Sequence, residues 1–202
     1  DVQKAIPRKI QSVIQSRFML LSAKARTLAE LAAVIGRSFT SLLLVQASKQ
    51  MEDSVISGLD ELWHRRIIVE RESNQFDFSH DRIRENVYAS MSPVTRPRLH
   101  LQIAQALEIL YASDLSEWHG QIANHYQLAG ELTSALPYFV EAVHITYSRR
   151  CAFNEALAII NRVLQFTDQL PETETNLRHI LTLCQTQYGA IRRTKGNTAP
   201  QL

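Results

Sequence analysis

Residues 67–78 read IIVERESNQFDF, and the chain runs on as SHDRIRENVY over residues 79–88. Ile67, Ile68 and Val69 are branched and favour extended backbone. Ser73-Asn74-Gln75 is a turn, and Phe76 to Phe78 alternates apolar and polar. The stretch predicts a two-stranded hairpin, the one convincing β signal in the chain. Directly after it, Ile83, Val87 and Met91 recur at helical spacing. Ser79 is the expected N-cap, with His80 as the first helical residue and Asp81 as the second. On that reading His80 sits at the N-terminal end of the buried face and points inward beside Phe78.

Upstream of the hairpin the periodicity is helical. Pro7 opens a pattern through Ile10, Val13, Ile14 and Phe18. Ser22 is a good N-cap for a second helix carrying Ala25, Leu28, Ala29 and Ala32, and Gly36 ends it. Phe39 precedes a short helix over 41–47. A further amphipathic pattern over 51–66 places Val55, Leu59, Leu62 and Trp63 on one side. Helices, then a hairpin, then another helix is the order of a winged-helix domain, here residues 1–92, with the hairpin as its wing.

From Pro93 onward the pattern is helical throughout. Leu99, Ile103, Ala106, Leu107 and Leu110 form a face, and Asp114 and Gly120 mark a break. Helices are expected over 122–128, 134–149, 153–167 and 173–193, joined by short polar segments that favour antiparallel hairpins. Ala123, Tyr126, Ala135, Phe139 and Ala142 follow the small-against-large spacing of tetratricopeptide helices. Ala156 and Ile160 echo it at an offset of 21 residues, so the repeat is degenerate. The fold class expected is therefore mainly α: a winged helix with one β-hairpin, then a tetratricopeptide-like helical domain over 93–195. Residues 196–202 are expected to form a polar, frayed tail.

Composition narrows the function classes. At 202 residues, 45% hydrophobic and 21% charged, the chain is an ordinary globular sequence. Its longest aliphatic run, Leu42 to Val45, is too short to cross a bilayer, so no membrane association is expected. The start, DVQKAIPRKI, has no initiator Met and no signal-peptide character, so the chain reads as an internal part of a longer one. The two cysteines, Cys151 and Cys184, form no motif. They fit buried structural roles in a reducing cytoplasm.

The search for chemistry is mostly negative. No glycine precedes a Walker lysine, and GxSxG, HExxH and CxxC are missing from the sequence. The histidines lack the i,i+4 pairing of a helical metal site, so no metal and no enzymatic activity are expected within this chain. A winged helix raises the question of DNA. Phosphate neutralisation needs a basic recognition helix, whereas MEDSVISGLDELWHRR carries Glu52, Asp53, Asp60 and Glu61 against a terminal Arg65-Arg66 pair. Direct DNA binding is the less favoured alternative. His80 keeps two readings: a residue closing the core beside Phe78, or a contact to phosphate at a helix N-terminus.

FDFSHDRIRENVY, RPRLHLQIAQALE and IANHYQLAGELTSALPYFVEA, with LSAKARTLAELAAVIGRSF before them, together resemble the region after the ATPase core in STAND-class signal-transduction ATPases. The closest likeness is to large bacterial regulators with an AAA-like ATPase, a winged helix and tetratricopeptide-like repeats; it spans roughly residues 7–165. The resemblance implies a winged helix that latches the ADP-bound resting state, and repeats that receive a protein or small-molecule inducer. It implies ATP or ADP on the protein's own ATPase core, with no cofactor held by this chain alone. In related plant and apoptotic ATPases a Met-His-Asp histidine contacts the ADP phosphate. Ser79-His80-Asp81 is similar to that motif, with Ser79 in place of Met. The resemblance thus makes His80 the candidate phosphate sensor and Asp81 the residue holding the helix start. A nucleotide-independent protein scaffold is the remaining alternative.

Overall fold

The computed structural model describes residues 18–72 and 74–195. The helix expected from Pro7 lies almost wholly outside the described residues, as does the tail over 196–202. The chain divides into two compact units between Ala106 and Leu107. That division falls inside a helix, fourteen residues beyond the boundary expected at 92.

The first unit opens with α1 (Ala23–Ile35), β1 (Ser38–Thr40), α2 (Ser41–Ser48) and α3 (Glu52–His64). The wing follows as β2 (Ile68–Glu72) and β3 (Gln75–Phe78), and then α4 (Asp81–Ser90). The sheet has three strands in the order β1-β3-β2, all antiparallel. This is a winged helix, and β1 is the strand that the hairpin reading omits. Ser38, Phe39 and Thr40 lie opposite Asp77, Phe76 and Gln75. Phe39 is buried and stacks on Phe76 at 6.1 Å between centroids.

Local signals set the helix ends. Ser22 caps α1, its hydroxyl accepting from the Ala25 N–H at 3.2 Å, and Gly36 ends the helix with φ +145°. Thr40 caps α2 in the same way through the Leu43 N–H. The Glu61 carboxylate of α3 accepts from both the N–H and the hydroxyl of Ser22, at 2.8 and 2.6 Å, tying α3 to the start of α1. Gly58 faces Leu28 so closely that a Cβ there would overlap its side chain, so glycine sets the approach of α3 to α1. Leu28, Leu44, Leu62, Ile67 and Ile68 fill the core beneath.

α5 (Thr95–Leu110) runs across the division between the units. The second unit adds α6 (His119–Ala129), α7 (Leu132–His144), α8 (Phe153–Leu164) and α9 (Glu174–Lys195). Gly120, expected at a break, is the second residue of α6. α6 packs chiefly on α7, and α8 on α9. The joint between α6 and α7 is only Gly130-Glu131, with Gly130 left-handed at φ +84°. So short a link between packed helices makes them an antiparallel pair.

The seven small and large residues of the repeat spacing, Ala123, Tyr126, Ala135, Phe139, Ala142, Ala156 and Ile160, are all buried. Both cysteines are exposed, against expectation. Cys151 occupies the left-handed joint before α8 (φ +51°), and Cys184 lies on the solvent face of α9. Among the described residues, no helix is long and apolar enough to cross a membrane.

Phe139 is 2% exposed, with Phe166 at 6.1 Å and the Arg162 guanidinium 4.8 Å from its ring centre. Phe139→Ala is expected to destabilise the second unit by about 3–5 kcal/mol through lost transfer energy and the cavity left behind. Urea unfolding followed by far-UV circular dichroism measures it.

Candidate functional site

The junction between the wing and α4 is built on Asp77, the third residue of β3. Its side chain is 9% exposed and accepts hydrogen bonds from Ser38 Oγ and from Arg71 Nε, the latter at 3.1 Å. Arg37 lies 3.9 Å away. One carboxylate thus joins β1, β2 and β3. The Ser38 hydrogen bond leads in holding the Asp77 carboxyl below its ordinary range, against the opposing push of burial, and Arg71 and Arg37 add to it.

The next turn differs from the sequence expectation in register. The Ser79 hydroxyl donates to the Arg66 carbonyl at 2.8 Å, and its N–H bonds the Ile67 carbonyl at 2.9 Å. With its hydroxyl engaged across the wing, Ser79 does not cap the helix. His80 is the N-cap instead, in extended backbone (φ −146°, ψ 137°), and its side chain makes no capping bond. His80 is exposed, which corrects the inward orientation expected from its spacing to Ile83 and Val87. Being outside the helix, it does not share the buried stripe that those two residues define. The reading of His80 as a core-closing residue is overturned with it.

Asp81 is the first helical residue, not the second. Its carboxylate lies 3.5 Å from Arg37 Nε, with both side chains more than half exposed. Such a surface pair contributes at most about 1 kcal/mol, but it offsets negative charge beside the helix start. The site therefore presents an exposed imidazole and an arginine-paired carboxylate at the positive end of α4, whose first turn closes through the Ile83 N–H and the His80 carbonyl at 2.9 Å.

α3, the helix in the recognition position, carries its charge as the sequence indicates. Glu61 is engaged by Ser22, while Glu52, Asp53 and Asp60 are exposed. Trp63, expected on the packed side with Val55, Leu59 and Leu62, is 51% exposed and stacks edge-on against His64 at 5.0 Å. The packed stripe of α3 is narrower than the apolar one.

No protein-family model, curated protein or solved structure matches the chain. The likeness to STAND ATPases therefore rests on the sequence stretches quoted above.

Two polar features escaped the motif search. In the first unit His100 is 3% exposed, its Nε2 3.1 Å from the Tyr88 hydroxyl, and burial lowers its pKa to about 4. In the second, Glu108 accepts from the hydroxyls of Tyr126 and Tyr138 at 2.8 and 2.5 Å. Burial first, then the Glu108 bond, raises both phenols above their ordinary range. The only signal for Glu108 in the sequence was a carboxylate directly beside the apolar face of α5. Among the described residues, no cluster of three or more His, Cys, Asp or Glu is placed to hold a metal ion.

His100 yields a pH prediction. Its folded pKa lies below the unfolded value of about 6.5, so its contribution to stability is complete above that value. The contribution is lost as pH falls from about 6.5 towards 4. Melting temperature of the natural chain should decline across that window, and the His100→Gln variant should show a flatter profile there.

Proposed function

We propose that this chain is the regulatory part of a STAND-type signalling ATPase. The winged-helix unit acts as a latch on the ATPase core, and the helical unit receives a protein or small-molecule signal. The observation that carries the reading is the exposed His80 imidazole at the N-terminus of α4, presented outward by a junction that Asp77 holds in place. An imidazole at the positive end of a helix suits an anionic phosphate. Arg37 beside Asp81 limits the repulsion that a bare carboxylate would exert there.

The fit is to a phosphate brought by another domain. ATP or ADP bound on that domain would supply the phosphoanhydride chemistry, and His80 would report which nucleotide is present. Differential contact in the two nucleotide states is what lets a ligand bias the packing of the latch. A cytoplasmic setting and a role in transcriptional or signalling control belong to the same proposal. The acidic α3 supports a protein-facing use of the winged helix over the reading of duplex DNA, where its carboxylates would meet phosphates.

The decisive experiment uses the intact protein that carries this chain together with an ATPase core. His80→Ala should weaken ADP binding about tenfold, the loss of one hydrogen bond to a charged group, and raise basal output. Isothermal titration with ADP and an activity assay without inducer measure the two effects. Unchanged ADP affinity and unchanged basal output reject the sensor role.

A further inference from the structure

The first unit has a groove of about 520 Å³ between α2, α3 and the wing. Its apolar surface comes from Val45, Ile56, Leu59, Trp63 and Phe76, and its charge from Glu52, Asp60 and Glu70. Among the described residues, no lysine or arginine lines it. None of the three carboxylates forms an ion pair among the described residues. Glu52, Ile56, Asp60 and Trp63 follow one another at i, i+4, i+8 and i+11, so acid and apolar groups alternate along one face of α3. Ile56 at 46% and Trp63 at 51% exposure leave two large apolar side chains in water directly beside these carboxylates.

We infer that this groove docks a basic amphipathic segment of a protein partner, one that places aliphatic side chains on Ile56 and Trp63 and Lys or Arg opposite Glu52, Asp60 and Glu70. The charge complementarity selects the occupant. Three unpaired carboxylates repel nucleic acid and acidic peptides, and each gains a partner when a cation arrives. Trp63 contributes twice, as apolar contact area and as a ring face for an arginine or lysine. A helix laid along α3 would meet this stripe with anchors at its own i, i+4 positions. The inference does not depend on nucleotide sensing at His80.

The test is fluorescence anisotropy of a labelled Leu/Lys amphipathic helical peptide titrated with the chain, alongside a Leu/Glu peptide of the same pattern. The Leu/Lys peptide should bind saturably at one site, lose affinity with added salt, and outcompete its acidic counterpart at least tenfold. The triple variant Glu52→Lys, Asp60→Lys, Glu70→Lys should lose about tenfold or more in affinity. Trp63→Ala should weaken binding severalfold at unchanged net charge, which separates the groove from general attraction to an acidic surface. His80→Ala should bind the peptide like the natural chain, whatever its effect on ADP. Equal binding of the two peptides, undiminished binding by the triple or the Trp63 variant, or no binding at all overturns the proposal. All substituted side chains are exposed, and circular dichroism checks that each variant is folded.

Discussion

The buried carboxylate of Asp77 is the constraint on which the geometry of the first unit turns. It receives Ser38 from β1 and Arg71 from β2, and Arg37 stands nearby. Removing water from a charged group is tolerated only when hydrogen bonds and opposite charge replace the lost hydration, and here they come from the strands on both sides. The same carboxylate therefore fixes the three strands relative to one another and sets where β3 ends. Everything presented beyond β3, including His80 and Asp81, inherits that position.

What could be read from the sequence follows the length of each pattern. The caps at Ser22 and Gly36 and the hairpin over 68–78 were legible because they combine several local signals. β1 was not, because three residues, Ser-Phe-Thr, are too few to show a period of two. Its pairing with β3 is also a long-range contact, as between Ser38 and Asp77. The one-residue shift at His80 has a similar origin. Ser79 is a good cap by local rules, but its hydroxyl is taken by Arg66, a partner thirteen residues away that no helix-start rule consults. Trp63 was misplaced because an apolar residue at the correct spacing need not find anything to pack against. The exposed cysteines teach the same lesson: residue type gives a tendency, and the neighbouring element decides burial.

The winged helix also separates fold from use. Its sheet order and helix order allow a recognition helix, yet α3 exposes three carboxylates where phosphate contacts need cations. Glu61 is spent on holding α1, while Glu52, Asp53 and Asp60 remain in solvent. Architecture alone would assign a DNA reader, and the protein-facing use proposed above rests on the side chains of α3 instead.

The Glu108 node has a consequence for how the helical unit can move. Interfaces made from alanines and aliphatic side chains are held in register by shape alone, because dispersion has no preferred direction. A carboxylate held by one phenol from α6 and another from α7 has such a direction. Rotating or shifting the end of α5 against that pair breaks both bonds and strands a half-buried charge. Gradual creep between these helices is thereby suppressed, and the end of α5 and the first helical hairpin move as one piece or come apart together.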